Sequence, residues 1–135
     1  MRWSALLALA AGVAATGCGL NIQPADLFLL TRTGQGSTLT LLVSDGGAIT
    51  CNGGQARSLP DPLLLRARDL AGGLAADARA KLRIPSPPGS VFRYRIRLQA
   101  GTVVFPDTAG STHPVLARAE LFAVQAAAQA CHTAG

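Results

Sequence analysis

The chain has 135 residues, three cysteines and 12 basic against 7 acidic side chains, a formal charge of +5. At ~100–200 residues per domain, that length holds one compact domain and excludes a multidomain machine. Hydrophobic residues make up 49% and charged residues only 14%, and the mean hydropathy of +0.32 is raised by an N-terminal apolar segment that processing would remove.

Arg2 supplies a short positive start, and residues 3–15 then run without a charge through Leu6, Leu7, Leu9 and Val13. These 13 residues fall short of the ~20 that a bilayer-spanning helix needs. Closed by Thr16 and Gly17, residues 1–17 therefore read as a signal peptide. Ala15-Thr16-Gly17-Cys18 resembles the lipobox of bacterial lipoproteins, with Ala15 where leucine is usual. The resemblance implies cleavage before Cys18, acylation of its thiol, and anchorage on the extracytoplasmic face of the cell membrane through a tether over residues 18–26. The alternative is a plain secretory signal with Cys18 an incidental thiol. Acylation of Cys18 leaves Cys51 and Cys131 as an even pair in an oxidising compartment. They form either a disulfide across 80 positions or two separate buried thiols. Neither sits in a CxxC pair, and His132 has no companions at ligand spacing, so neither a metal site nor a cofactor is expected.

Residues 27–135 read as one α+β domain. Residues 27–32 form a first strand, Gly34-Gln35-Gly36 turns it, and residues 37–43 return, with Leu39, Leu41 and Val43 alternating with Thr38 and Thr40. Asp45-Gly46-Gly47 has the chemistry of a second tight turn before a short strand over residues 48–51. Residues 52–59 are expected to be loop. Asp61 as N-cap and Pro62 at the first helical position open a helix. Its apolar stripe, Leu63, Ala67, Leu70, Leu74 and Ala78, runs at i, i+4, i+7, i+11 and i+15 to an end near Lys81. Gly72-Gly73 in its middle, costing ~1 kcal/mol per glycine relative to alanine, either permits close packing on a sheet or splits the helix.

The proline-rich residues 84–89 cannot continue a helix and make a rigid connector. Phe92, Tyr94, Ile96 and Leu98 then alternate with Arg93, Arg95 and Arg97, the clearest period-two pattern in the chain. Gln99-Ala100-Gly101 turns this strand back into residues 102–105, and Pro106 limits further pairing. A loop over residues 107–113 leads to Pro114 and a final helix over residues 115–131, with Leu116, Ala119, Ala123, Ala126 and Ala130 near one stripe. The expected architecture is a small antiparallel sheet of four to five strands, in ββ(β)αββα order, with two helices on its apolar face.

Arg32-Thr33-Gly34 after a first strand, Leu59-Pro60 before a helix, Phe92-x-Tyr94-x-Ile96 in a later strand and Pro114-Val115-Leu116 at the last helix resemble the emfourin family of small metalloprotease inhibitors, in that order over residues 27–122. The resemblance implies a protease-inhibiting activity and carries no inhibitory residue across to this chain. The lipobox and the two later cysteines lie outside the pattern.

Little in the chain points to catalysis. Asp107, Ser111 and His113 share one loop and are what a small-hydrolase reading would use, but serine, threonine and aspartate ahead of Pro114 equally serve a helix start. No nucleophile elbow, P-loop or GxGxxG precedes a helix. Export, and the fact that Tyr94 is the one Tyr or Trp besides Trp3 of the signal segment, argue against nucleic acid. The expectation is a non-catalytic interaction domain. Arg93, Arg95 and Arg97 form a basic strip ~13–14 Å long on the sheet face away from the helices. That strip either binds lipid headgroups, an anionic envelope polymer or an acidic partner, or is a solvated face that keeps the sheet soluble.

Overall fold

The computed structural model describes residues 25–132, so the signal sequence, Cys18 and nearly all of the tether lie outside the described residues. In chain order the elements are β1 (Asp26–Gly34), β2 (Ser37–Ser44), β3 (Ala48–Cys51), β4 (Ala56–Ser58), α1 (Asp61–Arg79), β5 (Arg93–Leu98), β6 (Gly101–Pro106) and α2 (Pro114–Gln129). The strands form one six-stranded sheet in the order β4-β3-β2-β1-β5-β6, and every neighbouring pair is antiparallel. The α+β class is as expected, with one strand more. The extra strand, β4, falls in the stretch read as loop: its three residues are all exposed and offer no alternation, and pairing with β3 alone makes them a strand.

Period-two alternation decides which face each strand buries. Phe28 and Leu30 of β1, Leu41 and Val43 of β2, Ile96 of β5 and Phe105 of β6 are fully buried on one face. Both helices cover that face: the α1 stripe is buried as the spacing predicts, and α2 buries Leu116, Ala119, Ala123 and Ala126, with Phe122 added. The Phe122 ring meets Phe28 edge-on at 5.5 Å between centroids. Each fully buried leucine or phenylalanine contributes ~1.5–3 kcal/mol relative to exposure. Cys51, ending β3, is disulfide-bonded to Cys131 just beyond α2, with Cα atoms 5.8 Å apart.

Several local details differ from expectation for identifiable reasons. Asp61 is the first residue of α1 rather than its N-cap: Pro60, extended at φ −54°, holds that position, and its carbonyl accepts from the Leu63 and Leu64 amides. The Asp61 carboxylate still sits favourably in the first turn. Helix α1 runs unbroken through Gly72-Gly73, and Gly73 alone of the two faces a neighbour, the other helix rather than the sheet. A Cβ on Gly73 would lie 3.2 Å from Val115 Cγ2, whereas one on Gly72 would meet open space. The helix stops at Arg79 because Lys81 turns left-handed at φ 55°. Its amide then bonds to the Ala78 carbonyl and that of Leu82 to Asp77, the two bonds of a Schellman motif. Helix α2 ends at Gln129, and part of the loop before it, Asp107–Ser111, is a 3-10 helix.

Beyond that stop the connector pairs with the sheet. The Ile84 amide bonds to the Val104 carbonyl at 2.9 Å and the Val104 amide to the Leu82 carbonyl at 3.0 Å, a parallel bridge opposite Arg83. Leu82 and Ile84 turn toward the core, and alternation therefore places Arg83 on the open face. The outer edge of β6 is thereby covered.

Candidate functional site

The open sheet face is built from the alternate residues that the core does not take. Arg93, Arg95 and Arg97 of β5 lie beside Thr33, Thr31 and Leu29 of β1, and these in turn beside Thr38, Thr40 and Leu42 of β2. On the other side Arg95 faces Val104 and Arg97 faces Thr102 of β6, and Val104 faces Arg83 of the connector. Val104 points to this open face yet is only 5% exposed. Arg95 and Arg83 flank it on either side.

Two grooves share Arg83, Arg95 and Val104. The larger, about 570 Å³, is completed by Lys81, Arg97 and Thr102. The smaller, about 310 Å³, is completed by Arg93, Thr31 and Thr33. Five cations thus line the pair and no carboxylate does. The acidic side chains lie elsewhere: Asp61, Asp69 and Asp77 on α1, Glu120 on α2, Asp107 before α2, Asp26 at the start of β1, and Asp45 in an ion pair with Arg68 of α1 at 2.7 Å. The open sheet face is thus uniformly basic, whereas the two helices balance four carboxylates with Arg66, Arg68, Arg79 and Arg118.

The sequence-identified arginines are not equivalent. Arg93 is half-buried and committed: its Nη1 donates to Ser86 Oγ at 2.7 Å and to the Ile84 carbonyl at 3.4 Å, tying the connector to the sheet. Arg95 and Arg97 are exposed, and among the described residues no acceptor engages them or Arg83. Sequence reading missed Arg83 and Lys81. The alternation Leu82-Arg83-Ile84 was the available signal, but three residues before a proline are too short to declare a strand, and only the bridge to Val104 sets their phase.

A second cluster of ionisable groups lies between the sheet and the start of α2. Arg32, 7% exposed, stacks on the Phe92 ring at 4.8 Å from its centroid. Gly34 permits that ring's position: at φ 153° it lacks the Cβ that would strike the Val91 carbonyl and the Phe92 side chain. Burial, then the Glu120 carboxylate, raise the Tyr94 hydroxyl, and Arg32 opposes them. Glu120 Oε1 is buried without a hydrogen-bond partner, and burial, followed by the charge of Asp107, pushes its carboxyl up to about 7. Asp107 itself is structural. Burial works to raise its carboxyl, but hydrogen bonds from Ser90 Oγ and the Phe92 and Val91 amides outweigh it and hold the group below its ordinary value.

The supposed hydrolytic constellation does not assemble through hydrogen bonds. Asp107 accepts from residues 90–92, Ser111 Oγ donates to the Thr108 carbonyl, and His113 Nδ1 pairs with Thr112 Oγ1 at 2.9 Å. Among the described residues no three His, Cys, Asp or Glu side chains gather to hold a metal ion, and no helix is long and apolar enough to cross a membrane. A search against protein-family models, curated proteins and solved structures finds no match to this chain.

Proposed function

We propose that this chain is a lipid-anchored, extracytoplasmic interaction domain whose open sheet face binds an anionic component of the cell envelope. The observation that carries the reading is the pair of contiguous grooves lined by Lys81, Arg83, Arg93, Arg95 and Arg97 with no carboxylate among their lining residues. Mutually repelling cations on one face cost stability in the free protein, and an anion bound across them removes that repulsion. Arginine forks suit oxyanions because each offers planar, bidentate donors. The anchor rests on the lipobox alone: a diacyl or triacyl Cys18 would hold the protein stably, where a single chain gives only marginal binding.

Two measurements test this reading. Cys18→Ala should move the full chain from the detergent phase to the aqueous phase on Triton X-114 partitioning, and retention in detergent would overturn the anchor. Sedimentation of the full chain carrying Cys18→Ala with envelope fractions at low salt should fall about tenfold or more when Arg95→Ala/Arg97→Ala is added; unchanged sedimentation would overturn the anionic face.

One observation favours a second reading, the metalloprotease inhibitor. Residues 85–89 form an exposed proline-rich loop, pinned on one side by Arg93 through Ser86 and on the other by Asp107 through Ser90. A rigid projecting loop loses little entropy on docking. Slowed peptide cleavage by a thermolysin-type metalloprotease in the presence of the domain would support it, and an unaltered rate at excess domain would remove it.

A further inference from the structure

The geometry points to a linear phosphate polymer, lying single file along the two joined grooves, as the ligand of the basic face; this inference rests on the anionic-face reading above. The face is a channel with two cationic walls rather than a plane. Arg97, Arg95 and Arg93 stand along β5, with alternate side chains ~6.6 Å apart. Arg83 stands on the connector two strand spacings away, ~9.6 Å from the β5 row. The floor between them, Gly101, Thr102 and Val104, is made of small side chains. Because Arg83, Val104 and Arg95 line both grooves, the channel continues past them from the Lys81 and Arg97 end to the Arg93 and Thr33 end.

Chemistry narrows the class of anion. Arg83 and Arg95 flank the same floor residue from opposite sides, so two guanidinium forks can converge on one group. Each internal unit of a phosphate polymer presents two non-bridging oxygens and a charge, so consecutive units can meet both forks and the next cation along the row, whereas a polymer of uronic acids or acidic residues spaces its carboxylates a whole sugar or amino acid apart. A bilayer surface fits less well, since stable interfacial binding draws on apolar insertion as well as charge. The large exposed apolar side chains are elsewhere: Leu65, Leu121 and Val124 lie on the helices and Val91 in the loop before β5. Tyr94 points into the core at 3% exposure, so the channel offers no tyrosine platform for stacking bases. Lys81 adds an independent mark. It occupies the left-handed stop of α1, a place where glycine is usual and another residue costs ~1 kcal/mol, and it lines the channel.

The test uses the full chain carrying Cys18→Ala and three probes: inorganic polyphosphate, pyrophosphate, and phosphatidylglycerol vesicles. Polyphosphate should bind with a log–log salt slope of about −3, from ~0.7 per phosphate engaged. Arg83→Ala and Arg95→Ala should each weaken binding severalfold and flatten that slope by about 0.7. Arg57→Ala, on the distant edge strand β4, should leave both unchanged. Since Arg83 and Arg95 have no acceptor among the described residues, unchanged circular dichroism is expected of both variants. Pyrophosphate binding as tightly as the polymer would overturn the single-file reading, as would an equal loss in Arg57→Ala. Vesicle binding without polyphosphate binding would overturn the polymer and leave the anionic face standing. If envelope fractions also fail to bind, both readings fall.

Discussion

Glu120 shows what one misplaced charge does to this fold. Its Oε1 is buried without a partner, and its carboxyl is pushed from 4.5 up to about 7, first by burial and then by Asp107. The native state therefore holds this proton more tightly than the unfolded chain does. The corresponding stability is complete below about 4.5 and is lost as pH rises through about 7. The groups around it fix the sign. Tyr94 of β5 stays neutral across this range, Asp107 is ionised and repels, and Arg32 bears on Tyr94. Glu120→Gln should raise the thermal midpoint at pH 8 by roughly 2–5 °C after allowing for solvent screening of a half-buried group. The gain should shrink toward zero at pH 4, and a pH-independent shift in thermal denaturation would contradict the assignment. Sequence could not have found this cluster, because Arg32, Tyr94, Asp107 and Glu120 are far apart in the chain and meet only through the sheet. Tyr94 is legible only as an apolar-face residue, and Asp107 only as one of the polar residues ahead of Pro114, whereas its oxygens anchor residues 90–92.

At the scale of elements, the helices and central strands were legible because burial imposes a period that the residues repeat. The α1 stripe is buried at all five positions that the spacing named, and β5 buries Tyr94, Ile96 and Leu98 while turning its arginines outward. What spacing could not decide was the use of Gly72-Gly73, since a helix does not reveal its neighbour. Their different surroundings make opposite predictions. Gly72→Ala enters open space and should stabilise the domain by ~0.5–1 kcal/mol through helix propensity and a less flexible unfolded chain. Gly73→Ala, 3.2 Å from Val115 Cγ2, must push α2 aside by a few tenths of an ångström and should lose most of that gain. Urea denaturation of the two variants checks the contrast, and equal stabilisation would show that the interhelical contact is slack. Strand β4 and the bridge over Leu82-Arg83-Ile84 escape a sequence reading for a related reason: each is three residues long, and backbone pairing rather than a hydrophobic pattern defines it.

The molecule as a whole is two layers, a helical side of balanced charge over a sheet whose far face is basic, closed at one end by a disulfide. Cys51–Cys131 joins β3 to the end of α2 across 80 positions, a loop whose closure is worth on the order of 4 kcal/mol in the chain-entropy model. Cys51→Ser/Cys131→Ser should lower the thermal midpoint by roughly 15 °C or more in differential scanning calorimetry, and a shift of a degree or two would mean that the unfolded chain is little constrained by the bond. The sequence by itself determined the α+β class, the buried stripes and the outward-facing arginines of β5, because all of these follow from local periodicity and turn chemistry. It offered Cys51 and Cys131 as partners by parity alone. Only the tertiary structure decided that they meet, that Arg93 is used to hold the connector, and that Arg83 and Lys81 complete the channel. Those outcomes depend on which distant backbones pair and in what register, and register between segments far apart in the chain is set by the packing of the whole sheet against both helices.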